Sequence, residues 1–135
     1  MNDIRIEIDW RVPAAQAWKG SEHDLQREVV TRAMALVQMF PHVMDLHAIP
    51  NGDWRGWKTA SKLKAEGVLP GVPDLFLPVP RGHWHGFYIE LKSAKGAVSK
   101  EQWGFLERRH QQGYLARIYN HPILAVDGIA TYLKL

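Results

Sequence analysis

Residues 75–79 and 87–91 are two short apolar runs joined by a connection that contains Pro80, Arg81, Gly82 and His83. Runs of this length bounded by Pro and Gly read as strands, and a short connection between them makes a hairpin. An antiparallel pair therefore sits in the middle of the chain, and its faces must be covered by what flanks it. Upstream, Ser21 opens a helix with Asp24 three residues on, and Leu25, Val29, Ala33, Leu36 and Phe40 follow at helical spacing until Pro41. Downstream, Ser99 reads as an N-cap with Gln102 at N3, and Gly113 ends that helix.

The remaining segments complete an α/β order. Residues 4–12 alternate Ile4, Ile6, Ile8, Trp10 and Val12 against Arg5, Glu7, Asp9 and Arg11, which predicts an N-terminal strand with one buried face. Residues 43–49 read as a short buried strand running into a Pro50-Asn51-Gly52 turn, and residues 58–66 as a polar helix ended by Gly67. Residues 114–119 read as a strand, and a terminal helix is expected from about Asp127. The expected architecture is one mixed sheet flanked by helices, with residues 1–20 as a strand or arm and 21–135 as a single domain.

Composition narrows the function classes. The 135 residues are 46% hydrophobic and 23% charged, a globular balance with no membrane-length apolar run. The absence of cysteine excludes disulfides, thiolate metal sites and a cysteine nucleophile. With no signal-peptide pattern at the N-terminus, a cytoplasmic protein is expected. The net charge of +3 permits an anionic partner without demanding one. No Walker A, dinucleotide fingerprint or Gly-x-Ser-x-Gly elbow is present. His83 and His85 have zinc-like spacing but no further ligands to complete a site.

The chemistry concentrates on one strand. Alternate residues of a strand share a face, so Tyr88, Glu90 and Lys92 point one way and Phe87, Ile89 and Leu91 the other. An acid and a base within an apolar strand are costly to bury unless they pair or bind a metal. Asp74 opens the preceding strand directly after Pro73, so a hairpin brings it toward Glu90. Converging Asp and Glu oxygens are hard ligands suited to Mg²⁺ or Mn²⁺, and Lys92 stands where it can orient a water or neutralise a phosphate.

Pro73-Asp74 followed by Glu90-Leu91-Lys92 resembles the signature of the PD-(D/E)XK nuclease superfamily. Together with Ile49-Pro-Asn-Gly, Lys62-Leu-Lys-Ala-Glu-Gly-Val, Gly71-Val-Pro-Asp-Leu and Ser99-x-x-Gln-x-x-x-Leu, it is similar to the VRR-NUC family, the virus-type replication-repair nucleases often encoded by phages. The likeness runs from about Glu22 to Tyr119. It implies an αβββαβ core and metal-dependent cleavage of DNA phosphodiesters. It further implies Asp74, Glu90, Glu22 and the Leu91 carbonyl as metal ligands, Lys92 as the catalytic lysine, and Gln26 and Gln102 near the site. Glu22 also has an ordinary role in a first helical turn, where a negative charge suits the helix dipole. Gln102 has one as a capping-box residue.

Asn51, Arg55, Lys58, Lys62 and Lys64 are candidates for DNA contacts, although the family's motif has Gly where this chain has Asp53. The expected activity is a Mg²⁺- or Mn²⁺-dependent DNA endonuclease selective for branched or single-stranded DNA, in phage replication or repair and hence in the host cytoplasm. The alternatives are a non-catalytic nucleic-acid-binding module and a sequence-specific restriction-type nuclease. The resemblance also implies a homodimer, and the N-terminal strand is expected either to add to the edge of its own sheet or to cross to a second subunit.

Overall fold

The computed structural model describes residues 3–50 and 60–135. Helices α1 (Ile4–Ile8) and α2 (Glu22–Met34) lead to strand β1 (His47–Ala48) and helix α3 (Ala60–Ala65). Strands β2 (Leu75–Leu77) and β3 (Phe87–Leu91), helix α4 (Lys100–Gln111), strand β4 (Leu115–Tyr119) and helix α5 (Pro122–Leu133) follow. The sheet order is β1-β2-β3-β4, with the first two pairings antiparallel and β3–β4 parallel. Helix α4 is the crossover that a parallel pair requires. The result is the mixed, helix-flanked α/β sheet expected from sequence.

The two faces are packed differently. On one, Leu75, Leu77, Phe87, Ile89, Leu91 and Leu115 meet Leu25, Val29 and Ala33 of α2 and Ala125, Ile129 and Tyr132 of α5. On the other, a small aliphatic cluster of Ile8, Leu106, Ala116 and Ile118 lies beneath α1 and α4. Strand β2 stops at Leu77 rather than Val79 because Pro78 and Pro80 have no N–H for the ladder.

The N-terminal strand is corrected to a helix. Asp3 caps it, accepting from the Arg5 N–H at 2.9 Å, and Arg5 and Glu7 pair with Glu107 and His110 of α4. Ile4 and Ile8 lie four apart and meet the core in a helix as well as in a strand, whereas Ile6 is 76% exposed. Beyond Asp9 the chain is extended and makes one parallel bridge to Ile118, at the outer edge of β4.

Two other boundaries differ from expectation. Residues 43–49 are not a buried strand. Pro41 starts a 3₁₀ turn, Pro41–Asp45, that buries Val43, and the strand that follows is a two-residue exposed edge. The last helix begins at Pro122, well before Asp127, because Pro at N1 needs no N–H partner and His121 caps Ile123. Ser99 and Gln102 form the expected capping box, and Gly113, at φ +92°, follows the end of α4.

Because α1 buries Ile8 and exposes Ile6, Ile8→Ala should open a cavity costing about 2–5 kcal/mol, while Ile6→Ala should change stability by less than about 0.5 kcal/mol. Urea denaturation of both variants checks this; equal losses at the two positions would restore the strand.

Candidate active site

Asp74 and Glu90 are brought together by the register of β2 on β3. Leu75 pairs with Ile89, so the residues just outside this pair, Asp74 and Glu90, fall opposite each other. The Leu91 N–H donates to Asp74 Oδ2 at 2.8 Å, which fixes the aspartate against the neighbouring strand. Leu91 thus reaches the site through its N–H. Glu90 Oε2 accepts from Gln102 Nε2 at 3.0 Å and lies 3.3 Å from Lys92 Nζ. Glu90 and Lys92 are 2% and 6% exposed, so this acid–base pair is removed from water.

Gln102 makes both of the contacts open to it. Its Oε1 accepts from the Ser99 N–H at 2.9 Å while its Nε2 holds Glu90. The capping geometry that starts α4 therefore also aims an amide at the buried carboxylate. Gly71, at φ +87°, brings the loop before Asp74 close to α4: a Cβ there would lie 2.5 Å from the Glu101 carbonyl carbon. Sequence reading missed this contact, although Gly71, two residues before the Pro73-Asp74 motif, is its visible trace.

Glu22 lies at the margin of the site. Its Oε2 accepts from the Ser93 N–H at 3.3 Å and occupies the space a Cβ at Gly96 would take. Its charge still raises the Asp74 and Glu90 carboxyls. Among the described residues no three His, Cys, Asp or Glu side chains are grouped so as to hold a metal ion, so the acidic core is the pair Asp74–Glu90. Gln26 lines a separate hollow with His23, Arg27, Val30, Leu46 and His47. Lys62 and Lys64 are exposed on α3, and Asn51, Arg55 and Lys58 lie outside the described residues. His83 and His85 turn to different aromatic partners, Trp84 and Tyr114.

The electrostatics favour a cation. Burial pushes the Glu90 carboxyl up to about 8, with Asp74 adding to the rise and Lys92 opposing it. Burial also pushes Asp74 up to about 6, against the pull of the Leu91 N–H and Lys92. Glu90 Oε1 is buried with no hydrogen-bond partner among the described residues. A divalent cation on hard oxygen ligands would satisfy that atom and the excess negative charge together, so Asp74 and Glu90 fit one.

A strand pair that sets two carboxyl groups and a lysine on one face, within an αβββαβ order, defines a nuclease-type α/β domain. The VRR-NUC domain model matches residues 11–120, and the chain belongs to that family. A solved structure described as a VRR_NUC domain protein superposes with a TM-score of 0.71 at 27% identity, covering 86% of this chain and 90% of that one. No functionally curated protein matches the sequence. Among the described residues no helix is long and apolar enough to cross a membrane.

Two outcomes follow for the metal-free protein. Glu90 keeps its proton in the folded state above 4.5, its ordinary value, where the unfolded chain gives it up. Its contribution to stability is full below about pH 4.5 and is lost as pH rises through about 8. Melting curves in EDTA should therefore fall across that window, and Glu90→Gln should flatten the fall. Gln102→Glu keeps an acceptor for the Ser99 cap but removes the donor to Glu90, whereas Gln102→Ala loses both. Thermal melts should show the Ala variant weakened by about 1 kcal/mol through its lost cap. The pH dependence of Glu variant stability should be steeper than wild type, because two carboxyl groups then face each other.

Proposed function

We propose that this domain is a divalent-metal-dependent DNA endonuclease that uses Asp74, Glu90 and Lys92. The observation that carries the reading is the buried acidic pair with an unpartnered Glu90 oxygen beside a buried lysine. Asp74 and Glu90 would hold Mg²⁺ or Mn²⁺, with Glu22 as an outer acidic residue and the Leu91 carbonyl as a further oxygen. When bound, the ion lowers the pKa of water and stabilises the charge of the leaving oxygen. The residues supply the rest. Lys92 orients the attacking water and offers a positive charge to the phosphate. Gln102 holds the Glu90 carboxylate in place. Water gives up one proton as its oxygen bonds to phosphorus, the bond to the 3′ oxygen breaks, and the departing oxygen takes up one proton. The products are a 5′-phosphate and a 3′-hydroxyl.

Lys62 and Lys64 are read as contacts to flanking phosphates, with Asn51, Arg55 and Lys58 beside them in sequence. Gln26 is read as a more distant contact. Branched or single-stranded DNA as substrate, a homodimer and a setting in phage replication or repair are part of this reading only as what the family resemblance implies. The N-terminal segment no longer supports the dimer, since it folds onto its own β4 edge. The test is a cleavage panel of single strands, duplexes, flaps and four-way junctions with Mg²⁺, Mn²⁺ or EDTA. Activity should need the metal. Asp74→Asn, Glu90→Gln and Lys92→Ala should each reduce turnover by at least about 100-fold, with metal affinity reduced in the first two alone. Wild-type cleavage by Asp74→Asn would remove the assignment.

A further inference from the structure

Among the described residues three charged or amide side chains are buried: Glu90, Lys92 and Asn120. The proposed reaction uses the first two and leaves Asn120, 5% exposed, without a role. Asn120 adjoins the site through the sheet. Leu91 pairs with Tyr119, so Asn120 falls one step further on, beside Lys92, and the Lys92 N–H donates to the Tyr119 carbonyl at 3.0 Å. The Asn120 side chain closes both backbone groups of Val12, accepting from its N–H and donating to its carbonyl at 2.9 Å each. The Asn120 carbonyl accepts the Trp18 N–H at 2.8 Å. Both ends of residues 12–18 are thus fixed on one buried residue.

Trp18 passes this constraint on in two directions. Its carbonyl accepts the Ala94 N–H at 2.8 Å, and its indole N–H donates to the Ser21 carbonyl at 2.9 Å. Ala94 lies two residues beyond Lys92, and Ser21 caps the helix that Glu22 begins. Three consecutive N–H groups therefore leave the end of β3 for three different parts of the chain. Lys92 bonds to the end of β4, Ser93 to Glu22 Oε2 at 3.3 Å, and Ala94 to Trp18. The chain then turns, with the Gly96 N–H on the Ser93 carbonyl at 3.0 Å. A Cβ at Gly96 would collide with Glu22 Oε2 and lie 3.2 Å from Lys92 Cδ, so this turn rests directly against both side chains.

We propose that Asn120 and Trp18 are positioning residues of the nuclease site. Through the segment from Lys92 to Gly96 and through the Ser21 cap, they set where the Lys92 ammonium and the Glu22 carboxylate stand relative to Asp74 and Glu90. The proposal rests on the nuclease reading and makes residues 12–18 part of its machinery. Covering the outer edge of β4 would by itself account for Asn120 on Val12. It would not require the Trp18 carbonyl to end on Ala94 and its indole on Ser21, the two backbones that carry Lys92 and Glu22. Asp74 and Glu90 are held separately, by the Leu91 N–H and Gln102, so a shift of this segment moves the lysine and spares the acidic pair. A small displacement of a group that must meet water and phosphate together is costly to the rate.

The test combines steady-state cleavage by the full chain with amide hydrogen exchange in EDTA. Asn120→Ala should lower kcat about 10- to 100-fold while KM for DNA and calorimetric Mn²⁺ affinity stay within about 2-fold of wild type. Ile129→Ala, a cavity in the layer under α5, controls for lost stability and should keep its kcat below its melting temperature. Added to Lys92→Ala, Asn120→Ala should cost less than about 3-fold more, because its effect passes through the lysine. In EDTA the Trp18 and Ala94 amides of Asn120→Ala should exchange at least about 10-fold faster than in wild type, beyond any change in the α5 amides. In case Asn120→Ala melts too low, Gly96→Ala enters at the other end of the linkage. It should lower kcat by displacing Glu22 and Lys92 while the Trp18 and Ala94 amides stay protected. Wild-type kcat in Asn120→Ala or, where that variant does not fold, in Gly96→Ala would overturn the proposal. So would a full further loss in the Lys92→Ala background, or no selective exchange at Ala94. A wild type that cuts no DNA would overturn the nuclease reading and this role with it, whereas a wild type that cuts beside unaffected variants would overturn this role alone.

Discussion

Burial of Glu90 beside Asp74 is the constraint around which the rest of the site is arranged. Two carboxyl groups cannot be moved out of water close together without proton uptake, a counter-charge or both. The chain supplies partial relief from three directions. Leu91 gives an N–H to Asp74, Lys92 gives a cation to Glu90, and Gln102 gives an amide from the first turn of α4. Relief stays incomplete, since both carboxyls remain above their ordinary values and Glu90 Oε1 stays unpartnered. A fold under pressure for stability alone would replace such a group with an apolar one, because broken or half-satisfied buried ion pairs cost more than hydrocarbon of the same volume.

The fold keeps this cost local. One face of the sheet is a continuous apolar layer against α2 and α5, and the stability of the domain rests there. The opposite face is divided. Over β4 and the adjoining part of β3 it is closed by α1 and α4 on a small aliphatic cluster. Over β2 and β3 it bears carboxylates, a lysine and aromatic rings. Because α4 both closes the aliphatic part and delivers Gln102, the helix that completes the core also positions the polar group at its border. Gly71 permits the close approach of the Asp74 loop to that helix, so hairpin, helix cap and acidic pair are mechanically joined.

What was legible in the sequence follows from which signals are local. The caps at Ser21 and Ser99 depend on neighbours a few residues away and fall where expected, and the hairpin forms as expected although β2 ends two residues early; its register sets Asp74 opposite Glu90. The N-terminal segment failed because Ile4 and Ile8 satisfy a period of two and a four-residue helical repeat equally. Only the exposure of Ile6, a tertiary fact, separates them. The edge strand β1 failed for a related reason: Pro41 redirected Val43 into the core through a tight turn, leaving two residues for pairing. Phe76 and Tyr88 were each visible as apolar strand residues, but their stacking needs the register of β2 on β3 and the missing side chain at Gly86. Gln102 was legible in both of its roles because capping spacing and motif position coincide on one residue.

The pieces also constrain one another energetically. With a divalent ion on Asp74 and Glu90, as proposed, the charge that now resists burial would be neutralised, and binding to the folded form alone would add to stability by mass action. Protons and such an ion would compete for the same oxygens, so lowering the pH would favour the protonated carboxyls and raising it would favour the ion. Lys92 is compatible with both states, since its 3.3 Å approach to Glu90 offers a positive charge whichever cation holds the second oxygen. The same argument explains why apolar closure stops short of the acidic pair. Aliphatic packing carried over to β2 would close the face over Asp74 and Glu90, whereas Phe76 and Tyr88, stacked on each other and half-buried, leave that part of the face less fully covered.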